Sequence, residues 1–296
     1  MFSFALFNYG KFIIMLETFL EHNNPCNICL DEKCGGKHTC NCSTCKMLAE
    51  CPKFLRAVIR ITNKCTQTCS HCCFKSSPKS NIMMNIEMAK DVATFIKSNK
   101  VCDLNVMGGE FFCNPYWYEI LSILVDSTHS MRLVTNGDWA IDNEMADKVV
   151  EFINLNKNKV RIAISKDKWH TNKNIEKAEE YIKQTGALYH VALPSETTDS
   201  SIVPIGRGEL EYTPFYSFLG CYCHNPHEQY TFLIDENGDI YKCGFGAWKY
   251  ANIKDYINGG FNKKFKEFNK KFYDIFIPSC KSCLYACNKE RRVKTD

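Results

Sequence analysis

The chain lacks the marks of secretion. Its opening stretch, MFSFALFNYGKFIIMLETFL, is apolar, but no basic segment leads it, no small-residue cleavage site ends it, and Lys11 and Glu17 interrupt it. It is also too short and too broken to span a bilayer. The expectation is an amphipathic or docking helix, with Met15 as an alternative start. Internal repeats and low-complexity linkers are missing as well. The net charge is +4, with Lys and Arg scattered and no basic-aromatic stripe, so neither nucleic acid, a membrane surface nor an acidic substrate is implied. These absences predict a cytoplasmic protein whose partners must be argued from its sites.

What the chain has in excess is cysteine, 19 in 296 residues. An odd number cannot all pair within one chain, and in a reducing compartment the thiols are free to bind metal. The 45% hydrophobic content is ample for a sizeable core.

Three regions differ in character. Residues 1–53 hold a cysteine-dense stretch with little hydrophobic periodicity. From 54 to 209, strand patterns alternate with helix patterns. The strand candidates are 55–62, 102–109, 131–137, 160–165, 188–193 and 201–206, and helix patterns at 85–98, 116–127, 142–155 and 175–184 separate the first five. This rhythm predicts parallel βαβ units with right-handed crossovers, in a partial barrel or an open doubly wound sheet. From 210 to 296 the style changes. QYTFLIDENGDIYKCG reads as two strands joined through a glycine-containing turn, and a helix around 260–276 and CKSCLYAC follow.

Residues 65–73 read CTQTCSHCC. Cys65, Cys69 and Cys72 have the spacing C-x3-C-x2-C and follow the first predicted strand, where βα architectures place their chemistry. Three thiolates on a short loop can hold three irons of a cubane, leaving the fourth iron open to another ligand. The structural alternative is a zinc site with His71 or Cys73 as fourth ligand, although zinc more often takes its second pair of ligands from farther along the chain. The second strand ends in Gly108-Gly109-Glu110. Two glycines allow close approach of a ligand to the backbone, and Glu110 offers an acceptor to a cationic amine. Alone, these three residues would be an ordinary βα turn.

In combination the motifs resemble the radical S-adenosylmethionine (radical SAM) superfamily over roughly residues 55–285. The resemblance implies an α/β fold, a partial (β/α)6 TIM-like barrel, with a [4Fe-4S] cluster whose open iron is chelated by S-adenosylmethionine. Reductive cleavage then yields a 5′-deoxyadenosyl radical that abstracts hydrogen from substrate, the protein supplying binding and orientation. It further implies Cys65, Cys69 and Cys72 as cluster ligands and Gly108, Gly109 and Glu110 as the wall that receives the methionyl amine. Ser165, ending the fourth strand, is implied at the ribose or carboxylate. Asn136, in the TNG after the third strand, sits at the same rim, and Arg207 would reach the carboxylate or a peptide.

The tail cysteines resemble the SPASM and twitch auxiliary-cluster modules of peptide-modifying members. Cys223, Cys243, Cys280 and Cys283 would hold a second [4Fe-4S] cluster, or a zinc, with Cys221 as a substitute for Cys223 and Cys287 joining them or staying free. CSHCCFKSSP, VTNGDWA, ISKDKWH and the GDIYKC hairpin are similar to stretches of the epipeptide epimerases, which implies a short precursor peptide as substrate and a flavodoxin or ferredoxin as electron donor. That family places a hydrogen-donating cysteine where this chain has Gly244. Epimerisation and cross-link or thioether formation therefore both stay open, with Cys73, Cys113, Cys221 and Cys287 as candidate donors.

The amino-terminal Cys26, Cys29, Cys34, Cys40, Cys42, Cys45 and Cys51, with His22 and His38, would form a zinc staple or a further iron–sulfur cluster, the staple being the simpler reading for a segment so poor in apolar pattern. Phe111, Phe112, Tyr116, Trp117 and Tyr118 are assigned to helix packing, and His170 is a candidate proton donor at the rim. The competing readings are a glycyl-radical activase, a nucleoside-modifying member, and a zinc-stapled binding protein.

Overall fold

The computed structural model describes residues 55–166, 169–170, 174–192, 207, 230–242, 249–265 and 267–268, all within the unit Lys53–Asp296. The expected sixth strand at 201–206 and all the amino-terminal and tail cysteines lie outside the described residues.

Strand β1 (Leu55–Arg60) leads through the cysteine loop to helix α1 (Ile86–Ser98). Then come β2 (Asp103–Met107), α2 (Trp117–Val125), β3 (Ser130–Thr135), α3 (Asn143–Asn156), β4 (Val160–Ser165), α4 (Ile175–Thr185) and β5 (Tyr189–Ala192). Each helix is built from local signals. Asn85 and Asp142 cap α1 and α3 by accepting the backbone N–H of Met88 and Met145. Gly186, at φ 65°, ends α4 in the left-handed conformation that a side chain would resist. The stripe Ala89, Val92, Ala93 and Ile96 turns one face of α1 inward.

The eight strands form one sheet in the order β5-β4-β3-β2-β1-β6-β7-β8. Neighbours among β1 to β5 are parallel. Because β1 to β5 advance in one direction across the sheet, right-handed crossovers put their connecting helices on one face. A doubly wound sheet would reverse direction, and β1 to β5 do not. Alternate residues from neighbouring strands fall in register on that covered face, as in the row Ile59, Val106, Leu133 and Ile162, all buried. The opposite face carries Arg56, Asp103 and Arg161, where Asp103 accepts from Arg56 at 2.7 Å and from Arg161 at 3.3 Å.

Sequence reading placed the hairpin after residue 210 in a tail module. Instead β6 (Tyr230–Ile234) pairs parallel with β1, and β7 (Asp239–Tyr241) and β8 (Lys249–Asn252) follow antiparallel in the same sheet. The glycine turn is as expected, with Gly238 at φ 78°. Asp235 holds that turn by accepting the backbone N–H groups of Asn237 and Asp239 at 3.0 Å each. Arg60 clamps the turn to β1 through a forked contact with Glu236, and its guanidinium lies 4.9 Å from the ring centre of Phe74. One β1 side chain therefore touches both the hairpin and the segment after the cysteines.

Among the described residues, Cys65, Cys69, Cys72, Cys73 and Cys113 form no disulfide.

Candidate active site

Parallel strands deliver their following loops to one edge of the sheet, and four candidate stretches meet there. They are the cysteine loop after β1, Gly108-Gly109-Glu110 after β2, Thr135-Asn136-Gly137-Asp138 after β3, and Ser165 at the end of β4.

The cysteine loop is braced from beneath by β2. The backbone N–H of Gly109 donates to Thr62 O at 2.8 Å and that of Glu110 to Lys64 O at 2.9 Å. A Cβ on Gly109 would stand 2.4 Å from Lys64 O and 2.7 Å from Cys65 Cβ. Gly109 thus permits a close approach between two stretches of the chain itself.

Glu110 is also committed internally. It is buried, and its carboxylate accepts from Thr135 Oγ1 at 2.9 Å and from the backbone N–H of Asn136 at 2.7 Å. It ties the end of β2 to the end of β3. Burial raises its pKa from 4.5 to about 8, outweighing the two hydrogen bonds. The sign for stability follows from this direction. Between about 4.5 and 8 the folded state holds a proton that the unfolded state has released, so stability is lost as pH rises through that interval, by about 1.4 kcal/mol per unit of displacement. Glu110→Gln keeps shape and polarity without the titration. The melting temperature of metal-free wild type should fall from pH 5 to pH 8 relative to that variant, and parallel profiles would contradict the assignment.

Within the loop, Gln67 touches two of the three thiols. Its backbone N–H reaches Cys65 Sγ at 3.4 Å, and its side-chain Oε1 accepts from Cys69 Sγ at 3.4 Å. A tight turn brings the backbone N–H of Cys72 to Cys69 O at 3.2 Å. Burial pushes the Cys65 thiol up to about 12, so in the metal-free protein it stays protonated at neutral pH, and binding a metal must release that proton. Burial likewise raises Cys113, in the turn Phe111–Cys113, to about 11.

Asn136 and Arg207 prove to be parts of the loop's support. Asn136 Nδ2 donates to Thr66 Oγ1 at 3.0 Å and lies 3.9 Å from Cys65 Sγ. Arg207 Nε donates to Cys69 O at 2.7 Å, its Nη2 to Ser76 O at 2.8 Å, and its backbone N–H to Cys72 O at 3.0 Å. The guanidinium expected to meet a carboxylate meets the carbonyls of the cysteine loop. Asp138 was missed by sequence reasoning. Its Oδ2 accepts from Thr66 Oγ1 at 2.5 Å and Gln67 Nε2 at 2.9 Å.

On the far side of the loop, the ring of His71 packs against Trp169 at 4.9 Å and meets His170 edge-on at 5.1 Å. His170 is therefore at the rim, in contact with the cysteine loop. Phe112 packs on Trp117 and Trp139, the helix-packing role expected of it.

The donor set fits a cubane: three cysteines outside any disulfide on one short loop, one of them buried, gripped by backbone and side-chain contacts from three neighbouring segments. Among the described residues, no three His, Cys, Asp or Glu side chains converge as a single metal ion requires. A cubane makes a different demand, one thiolate for each of three irons.

Residues 59–200 match the model of the radical SAM superfamily, a span that includes the cysteine loop and all the braces except Arg207. This segment is a radical SAM domain. Membership of the radical SAM superfamily implies S-adenosylmethionine and a [4Fe-4S] cluster as cofactors. Among solved structures, the radical SAM domain and its surroundings are similar in fold to BtrN in complex with AdoMet and 2-DOIA, at 14% identity and a TM-score of 0.52, with 73% of this chain and 86% of that chain covered. Weaker likenesses are to native anSMEcpe with bound AdoMet and Cp18Cys peptide (15% identity, TM-score 0.46, 73% of this chain and 83% of that one) and to Streptococcus suis SuiB bound to precursor peptide SuiA (15%, 0.34, 73% and 65%). The first concerns the fold alone, and the other two carry no further argument. No curated protein matches the chain significantly. No helix among the described residues is long and apolar enough to cross a membrane.

Proposed function

We propose that this radical SAM enzyme modifies a ribosomally made peptide, by epimerisation or by forming a cross-link such as a thioether. The observation that carries the reading is the Cys65–Cys72 loop, with three cysteines outside any disulfide held at the carboxyl edge of a parallel sheet. Cys65, Cys69 and Cys72 would hold a [4Fe-4S] cluster, which together with S-adenosylmethionine would supply the radical chemistry that takes hydrogen from the peptide.

The chain's own residues hold, orient and shield. Gly108 and Gly109 bring the end of β2 against the loop and are the candidates to line a bound methionyl group. Glu110 fixes that wall to β3 and, with Gly108 and Gly109, is the candidate to receive the methionyl amine. Ser165, at the same edge, is the candidate for the ribose or carboxylate. His71, Trp169 and His170 form an aromatic wall beside the thiols. Strands β1 to β5 would be five strands of a (β/α)6 barrel, with 201–206 as the sixth. Cys223, Cys243, Cys280 and Cys283 would hold an auxiliary cluster in a twitch or SPASM-like tail, the amino-terminal cysteines a metal staple, and a flavodoxin or ferredoxin would deliver the electron.

Anaerobically reconstituted enzyme, given S-adenosylmethionine, dithionite and the short peptide encoded beside its gene in deuterated water, should form 5′-deoxyadenosine and change the peptide's mass. Uptake of one deuteron identifies epimerisation, and loss of two hydrogen atoms identifies a cross-link. Formation of 5′-deoxyadenosine without a change in peptide favours the activase or nucleoside reading. If none forms, the enzyme reading fails.

A further inference from the structure

Two of the three residues between Cys65 and Cys69 are held by a single acidic side chain that no sequence motif singled out. Asp138 follows Gly137, whose φ of 81° turns the chain back over the cysteine loop. Its Oδ2 accepts from both Thr66 and Gln67. Its backbone N–H donates to Asn136 Oδ1 at 2.9 Å. Each of the two nitrogens near the Cys65 sulfur therefore belongs to a residue that Asp138 grips: the backbone N–H of Gln67 at 3.4 Å and Nδ2 of Asn136 at 3.9 Å.

We infer that Asp138 is a positioning residue for the cluster, orienting Thr66 and Gln67 so that the Gln67 N–H points at the Cys65 sulfur. The inference rests on the cluster reading above. A hydrogen bond to a cluster sulfur stabilises the extra electron of the reduced form and raises the reduction potential. The same grip keeps Cys65 and Cys69 at their spacing. Asp138 also brings a negative charge near the cluster, which acts on the potential in the opposite direction. Charge and orientation must therefore be separated by choice of variant.

Asp138→Asn and Asp138→Ala are both neutral there and both keep the backbone N–H. Only the asparagine keeps an oxygen where Thr66 and Gln67 donate. With full-length protein reconstituted anaerobically, the midpoint potential of the Cys65 cluster, followed by its electron paramagnetic resonance, should be more negative in Asp138→Ala than in Asp138→Asn. Release of iron to a chelator should be several-fold faster in the alanine variant, with asparagine close to wild type. Circular dichroism of the metal-free proteins separates this from loss of fold, and should be alike for the two. Equal potentials and equal iron release in the two variants would overturn the inference while leaving the radical SAM reading intact. A wild type that holds no cubane would sink both.

Discussion

Replacing Cys65, Cys69 and Cys72 together by alanine should remove about four iron per chain, the content of one cubane, and reduce 5′-deoxyadenosine formation to background. The size of the effect follows from the ligand set: with all three thiolates removed, Cys73 is the one thiol left in the loop, too few to hold a cubane. The fold should survive. The sheet and its covered face are built from Ile59, Val106, Leu133, Ile162 and their neighbours, and among the three cysteines only Cys65 is buried. Circular dichroism and thermal unfolding of the metal-free variant should therefore match wild type closely. Iron that remains counts whatever clusters the other cysteines hold. A variant that keeps its full iron and still makes 5′-deoxyadenosine would contradict the assignment of the ligands.

Gly109→Ala should damage the same site without touching a ligand. The added methyl would stand 2.4 Å from Lys64 O and 2.7 Å from Cys65 Cβ. Both obstacles belong to or adjoin the backbone, so no side-chain rotation relieves them. The strands can part only by breaking the bonds from Gly109 to Thr62 and from Glu110 to Lys64. Overpacking of this kind costs about 1–3 kcal/mol, and the displacement is delivered directly to Cys65. The expected result is a lower melting temperature together with loss of most of the iron that the triple variant loses. Gly108→Ala, whose nearest atoms are Thr62 O at 2.9 Å and Thr62 Cγ2 at 3.0 Å, should be milder. Full iron in Gly109→Ala would show that the loop is not packed as described.

Much of the sheet was legible because one face of each element is buried. The pattern for 160–165 coincides with β4, and the helix expected at 175–184 differs from α4 by one residue. The edge at which the site lies followed from the alternation of strand and helix. What was not legible has a common physical origin. Pairing of β6 with β1 joins residues far apart in sequence, and the hairpin pattern that produces β6 and β7 is the same whether it stands alone or extends a sheet. Gly109, Glu110, Asn136 and Arg207 stand out in the sequence as residues expected to face a ligand. The structure turns all four toward the cysteine loop or toward each other. A spacing motif records that a residue type is needed at a position, and it does not record whether cofactor or chain occupies the other end of the contact. Asp138 was missed for the same reason, since a single carboxylate after TNG has the look of turn chemistry.

The central claim is that the loop Cys65–Cys72 holds a cubane with one iron open to S-adenosylmethionine. The most direct test is electron paramagnetic resonance of the anaerobically reconstituted, dithionite-reduced protein, with and without S-adenosylmethionine, beside the triple cysteine variant. The account predicts a reduced [4Fe-4S] signal whose line shape changes when S-adenosylmethionine is added, and whose responsive component is missing from the variant. A spectrum indifferent to S-adenosylmethionine, or one identical in wild type and variant, would contradict it.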